Sequence, residues 1–254
     1  MRFGCCVGPD AIGIIADAGF DFCELPARAV LPFADDAEAL PALRAIAAHP
    51  IQPESFNVLV PAELPLVGPN VDLPRLQAYL DRAFSRMGQL GGAIAVLGSG
   101  AARRIPDDWP RNKALDQLAD ALALAGDLSA RSGVTLALEH LNQGECNVFT
   151  SLAESSAFIR SRGLQDVKIL ADLFHLEVEH ESMDAVRDAG PLVVHVHTAG
   201  GGRKAPQVSG YDHDGFAQAL REIGYDARVS AENSWDDLAA QAPEALAFMR
   251  AHYG

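Results

Sequence analysis

The sequence predicts an α/β protein, a single-domain (β/α)8 barrel covering residues 1–254. Three observations carry the prediction. Helical stretches that end in glycine and pass at once into an apolar, strand-like run recur along the chain: ADAG-FDFCEL, GQLGG-AIAVLG, ARSG-VTLALEH, RSRG-LQDVKILADL and REIG-YDARVSAE. With the runs RFGCCVG, PESFNVLV and PLVVHVHT they make eight strands with helical sequence between them. The length suits one such barrel, which uses about 250 residues.

Taken in order, the first strand is expected at 2–8 and the second at 20–25, after a glycine that supplies the left-handed stop of a helix. The third spans 54–60. The helix that follows, over 72–90, has Asp72 as its N-cap and Pro74 in its first turn. Strand four is expected at 93–98 and strand five at 134–140. Ser151 and Glu154 then form a capping box ahead of an amphipathic run. Strands six, seven and eight follow at 167–173, 192–198 and 228–233, with eight helices alternating with the eight strands. The runs are too continuously apolar for a sheet with one wet face. An open doubly wound sheet is the rival, but GSGAAR (98–103) and AGGGRK (199–204) do not form GxGxxG after the first strand, and no GxxxxGK[ST] loop occurs.

Hydrophobic residues make up 49% and charged residues 21%, an ordinary globular composition able to bury a large core. Lys and Arg total 20 against 34 Asp and Glu, a formal charge of −14. Such a field repels phosphate backbones and anionic membranes, so neither nucleic acid nor membrane is an expected partner. The four cysteines show no CxxC spacing, and the opening MRFGCCVGPD has no basic region followed by an apolar segment. The expectation is a reduced, cytoplasmic protein.

In a barrel of this kind the chemistry sits where strands end at their C-terminal side. The polar residues there are Glu24, Asn57, Glu139, Asp172, His195, His197 and Glu232. His195 and His197 are two apart on one strand and so share a face. Carboxylates crowded together and desolvated would cost several kcal/mol each, and a divalent cation removes that cost. Oxygen ligands from Glu139, Asp172 and Glu232 with one imidazole suit Mn²⁺ best, with Co²⁺ and Mg²⁺ also fitting. The absence of thiolates argues against a structural zinc site, while Zn²⁺ in a catalytic role remains compatible. Taken alone, Glu24 reads as an N-cap or solvated carboxylate. Arg103, Arg104, His49, His180, His213 and His252 read as solvated surface. The GSGAAR loop reads either as part of a pocket or as a plain tight turn.

The motifs LALEHLNQGE (136–145), ILADLFHLEVE (169–179), HVHTAGGGRK (195–204) and AENSW (231–235) resemble the xylose isomerase-like TIM-barrel superfamily. The similarity is to its sugar phosphate isomerase/epimerase branch, which includes ketose 3-epimerases and hydroxypyruvate isomerase. It runs through most of the chain. The resemblance implies metal ligands at Glu139, Asp172, His197 and Glu232, with His197 as the second histidine of the HxH pair. It implies substrate contacts at Glu145, His175 and Arg203. His195, one layer deeper, is then a supporting residue. The chain departs from the family's frequent proline after the first glutamate, having His140 there. By analogy with relatives, a homo-oligomer is possible.

The implied reaction is proton abstraction next to a carbonyl through an enediolate, with Glu139 and Glu232 as acid and base and a small-molecule sugar or keto-polyol as substrate. Reprotonation of the same carbon on the other face gives epimerisation, and proton delivery to the adjacent carbon gives aldose–ketose isomerisation. Competing readings are an inosose or dehydroshikimate type of dehydratase on the same fold and a non-catalytic sugar-binding protein. An abasic-site endonuclease would need further histidine ligands and a basic surface.

Overall fold

The computed structural model describes all of residues 1–254. Eight short runs pair in parallel, each with the next in sequence: β1 (Arg2–Cys6), β2 (Phe22–Pro26), β3 (Pro53–Asn57), β4 (Ile94–Leu97), β5 (Thr135–Glu139), β6 (Val167–Asp172), β7 (Val193–Thr198) and β8 (Arg228–Ala231). The barrel closes where β8 pairs β1, with Arg228 opposite Arg2 and Ala231 opposite Cys5. Between the strands lie α1 (Ile12–Asp17), α2 (Asp36–Ala47), α3 (Leu73–Gln89), α4 (Gly100–Arg103), α5 (Arg111–Arg131), α6 (Leu152–Arg162), α7 (Leu173–Val178), α8 (Asp184–Ala189), α9 (His213–Glu222) and α10 (Leu238–Tyr253).

The helices number ten rather than the expected eight, because α4 and α7 are single short turns inserted after β4 and β6, directly over the barrel mouth. The expected cap of α3 is present: the Asp72 carboxylate accepts from the Arg75 amide. At α6 only half of the expected capping box forms. Ser151 Oγ accepts from the Glu154 amide, while the Glu154 carboxylate accepts from the Thr150 amide one residue earlier than a capping box requires. β3 ends at Asn57, short of the expected 60, because Val58 turns into the left-handed region. β8 likewise ends at Ala231, which leaves Glu232 as the first loop residue. No helix is long and apolar enough to cross a membrane.

Apolar strand faces packed under the helices form one continuous core. Inside the barrel the filling is divided. Ile94, Val96, Ala137 and Leu170 form a small apolar cluster beside β4, β5 and β6. On the opposite side Glu24, Ser55, His195 and Ser230 take the inward positions, each fully buried. Barrel interiors are usually layers of branched aliphatic residues, so a buried polar layer beneath the mouth is a site-building feature.

Candidate active site

Glu139 ends β5, Asp172 ends β6, His197 is the penultimate residue of β7 and Glu232 follows β8. The ligand atoms of these four lie within 4.8 Å of one another. Asp172 and His197 are direct register partners in the sheet. One Asp172 oxygen accepts the Phe174 amide at 2.8 Å, capping α7. The other, Oδ2, has no hydrogen-bond partner, and neither have Glu139 Oε1 and His197 Nδ1, although all three are buried. Buried polar atoms are nearly always satisfied. Three orphaned ligand atoms converging on one point, all oxygen or imidazole nitrogen, fit a divalent cation.

Beneath them Glu24 acts as a hub, a role its position in the sequence does not suggest. It is neither a helix cap nor solvated. Its Oε1 lies 2.9 Å from His197 Nε2, and its Oε2 lies 2.7 Å from His195 Nε2. Ser55 and Ser230 both donate to Oε2 at 2.7 Å. β2 and β7 are not neighbours in the sheet, so these bonds cross the barrel interior. A carboxylate only accepts, so His197 Nε2 carries a proton, and the ring is oriented with Nδ1 toward Glu139 and Glu232, at 3.4 and 3.5 Å. His195 is thereby a supporting residue that shares the same carboxylate.

The charges are set unevenly. Burial alone would raise the Glu24 carboxyl, but His197 and His195 hold it well below the usual carboxylate range. Burial, then the charge of Glu232, raises Glu139. Burial and the same neighbour push Asp172 up to about 8. Glu232 behaves oppositely: against burial, His197 and Arg203 bring it down to about 2. Burial disfavours a charged His197, but Glu24 and Glu232 overcome it and hold the ring protonated. Without a cation, the stability contributed by protonated Asp172 is present below its ordinary 3.8 and is lost as the pH rises through about 8. His197, also raised, acts in the same direction. A cation must displace these protons. Mn²⁺ binding is therefore expected to release protons and to strengthen from about pH 6 to about pH 8, as read by calorimetry in buffers of different ionisation heat. Affinity that stays flat across that range would contradict the assignment.

Beside Asp172, His175 Nδ1 accepts from the Asn142 amide at 3.0 Å, so the proton sits on Nε2. That N–H points between Asp172 Oδ2 at 3.6 Å and Glu139 Oε1 at 3.9 Å, bonded to neither. Burial drives the ring down to about 2, keeping it a neutral donor. Arg203, itself in the left-handed region after Gly202, donates to Glu232 Oε2 at 2.6 Å and to Glu145 Oε1 at 2.9 Å. Its guanidinium lies over the Phe174 ring, 4.7 Å from the centroid. Asn57 Nδ2 reaches Glu232 Oε1 from across the mouth at 3.2 Å. Glu139, Glu145, Arg203 and Glu232 all line one cavity of about 440 Å³, and His175 lies behind it, next to Asp172 and Glu139.

Several residues outside the expected set also shape the site. The GSGAAR loop lines the cavity, and a Cβ on Gly98 would stand 2.1 Å from Glu139 Oε2. Gly98→Ala is expected to push that carboxylate aside and to cost about 100-fold in turnover, the penalty of a misplacement near 1 Å. Unchanged kcat in that variant would show that Glu139 has room to move. Arg103 is not solvated surface. It is fully buried, donates to the Glu139 carbonyl at 2.7 Å and lies against the Phe149 ring, so it anchors the end of β5. His213 is buried too: its Nδ1 lies 2.8 Å from the Tyr253 hydroxyl, which ties α9 to α10. His180 is exposed as expected, and His49 and His252 are partly so. His140 is buried with both ring nitrogens unpartnered, and nothing around it gives it a role.

The chain matches the model of the family described as xylose isomerase-like TIM barrel over residues 12–252. It belongs to that family. Within the family it is 32% identical over 161 residues to the D-psicose 3-epimerase of Agrobacterium fabrum, a match covering 61% of this chain and 55% of that protein. It is 26% identical over 226 residues to the D-psicose 3-epimerase of Ruminiclostridium cellulolyticum, covering 86% of this chain and 75% of the relative. A crystal structure of a D-psicose 3-epimerase in the presence of D-fructose superposes with a TM-score of 0.86 at 24% identity, covering both chains fully. At that identity the likeness speaks for the xylose isomerase-like fold.

Proposed function

We propose that this family member is a divalent-metal-dependent sugar epimerase or isomerase that abstracts a proton next to a carbonyl and works through an enediolate. The observation that carries the reading is the convergence of Glu139 Oε1, Asp172 Oδ2 and His197 Nδ1, buried and unpartnered, with Glu232, where Glu139 and Glu232 also line a sugar-sized cavity. The names of its relatives, sugar 3-epimerases, support the same class. Mn²⁺ is the proposed ion, held by Glu139, Asp172, His197 and Glu232. When bound, a divalent cation supplies Lewis acidity toward the substrate carbonyl and offsets negative charge developing on it.

The chain's own groups account for the proton movements. Glu232 takes the proton and Glu139 returns one; in the metal-free chain His197 and Arg203 hold Glu232 ionised while burial raises Glu139. Two carboxyls whose environments push them apart are suited to acid and base roles. His175 Nε2–H, unpartnered beside Asp172 and Glu139, is positioned to donate to a substrate oxygen. Arg203 and Glu145, already bonded to each other, bind further hydroxyls and keep Glu232 oriented. Incubation with Mn²⁺ and a panel of ketoses, hydroxypyruvate and keto-inositols in D₂O, followed by proton NMR, tests the proposal. Deuterium next to the carbonyl with an epimeric or isomeric product is expected; loss of a hydroxyl would instead assign a dehydratase. Protein that binds no divalent metal would end the proposal.

A further inference from the structure

The catalytic cavity continues outward. It meets a second cavity of about 450 Å³, and the two share Arg28, Pro61 and Tyr79 as a common wall. A single six-carbon sugar seated on the four carboxylate and imidazole groups leaves this outer space unfilled. Two of the chain's exposed large apolar side chains stand along it, Phe33 at 48% and Leu31 at 39% exposure, and a third, Val58 at 53%, lines the inner cavity.

Their exposure is built in. Val58 and Leu31 both have positive φ, 48° and 49°, a conformation that branched apolar residues avoid unless their surroundings hold them there. Arg86, buried in α3, donates to the carbonyls of Val30, Leu31 and Ala34 and to Asp36, fastening the loop that presents Leu31 and Phe33. Phe33 is braced by Tyr79, with ring centroids 4.8 Å apart, and the Tyr79 hydroxyl is tied to the Leu59 carbonyl at 2.9 Å. A strained loop held by a buried cation in order to display apolar surface gains the fold nothing. Such a surface beside a reaction cavity is a ligand surface. Arg28 and Glu63 add polar groups to the same wall, and Arg28 makes no ion pair. An apolar face flanked by hydrogen-bonding groups matches a sugar ring, which has C–H faces and a hydroxyl rim.

We propose that the substrate is a glycosylated keto-sugar, with the reacting ketose at the carboxylates and a second sugar ring in the outer cavity against Phe33 and Leu31. This rests on the epimerase or isomerase reading of the inner site. The test compares fructose with 6-O-glucosyl-fructose, both with a free carbonyl, by deuterium uptake in D₂O with Mn²⁺. Wild-type kcat/KM is expected to be at least about ten-fold higher for the disaccharide, and Phe33→Ala to erase that preference while changing fructose turnover less than about two-fold. Saturation-transfer NMR supplies a readout independent of turnover: transfer to the glucosyl ring protons is expected in the wild type and lost in Phe33→Ala. Transfer without any exchange would uphold the outer subsite while sinking the catalytic reading. Equal kcat/KM for the two sugars overturns the proposal. So does a Phe33→Ala change from oligomer to monomer with the sugar preference intact, which would make the surface a contact between copies.

Discussion

Glutamine in place of Glu232 or Glu139 is expected to lower turnover by about 10²- to 10⁴-fold, the usual contribution of a positioned acid or base. The two variants should fail differently. If Glu232 and Glu139 serve opposite faces of one carbon, each variant loses deuterium exchange from one epimer and keeps it from the other. Measuring both epimers separately at saturating Mn²⁺ separates this from simple loss of metal, because a cation defect slows both. The two residues are also distinct in the metal-free chain. Glu232 is stabilised as a carboxylate by His197 and Arg203, whereas Glu139 is pushed toward its protonated form by burial and by Glu232. Glu139→Gln thus removes a group already disfavoured as an anion, and without metal it is expected to unfold at no lower a temperature than the wild type. Wild-type exchange from both epimers in both variants would end the two-carboxylate mechanism.

Replacing Glu24 is expected to have the larger effect on stability. Its two oxygens serve His195, His197, Ser55 and Ser230, all fully buried. Glu24→Ala leaves four donors facing one another in a sealed interior. Breaking a buried charged network in this way costs about 3–5 kcal/mol, which at about 2–4 °C per kcal/mol for a chain of this size predicts a fall in Tm of about 10 °C. Glu24→Gln keeps the volume and one acceptor but places an amide N–H against an imidazole N–H. That variant should fold and should bind Mn²⁺ about 10- to 100-fold more weakly, because the group orienting the proposed metal ligand His197 has been spoiled. A metal titration gives the affinity, and thermal unfolding without metal gives the fold's share. Unaltered affinity in Glu24→Gln would reduce Glu24 to a packing role.

The polar cluster at the barrel mouth was legible for a geometric reason. In a closed parallel barrel every strand delivers its last residues to the same mouth, so Glu139, Asp172 and His197 meet without any knowledge of contacts, and the family's motifs extend the set to Glu232. Glu24 lies in the middle of β2, and its role depends on residues 171 and 173 positions away. Arg103 and His213 look like surface residues in a local reading, and only the packing around them shows their burial. Gly98 carries no side chain to draw attention; its importance lies in the Cβ that the Glu139 carboxylate excludes.

The sequence by itself determined the eight-strand order, the polar strand ends and the family, because these follow from local periodicity, glycine punctuation and motif. Tertiary structure alone decided which nitrogen of His197 faces the site, which tautomer His175 adopts, and that an apolar outer cavity adjoins the inner one. Each of these depends on which atoms from distant strands stand within hydrogen-bonding or van der Waals reach, a matter of the barrel's closure and register that no local stretch of chain encodes.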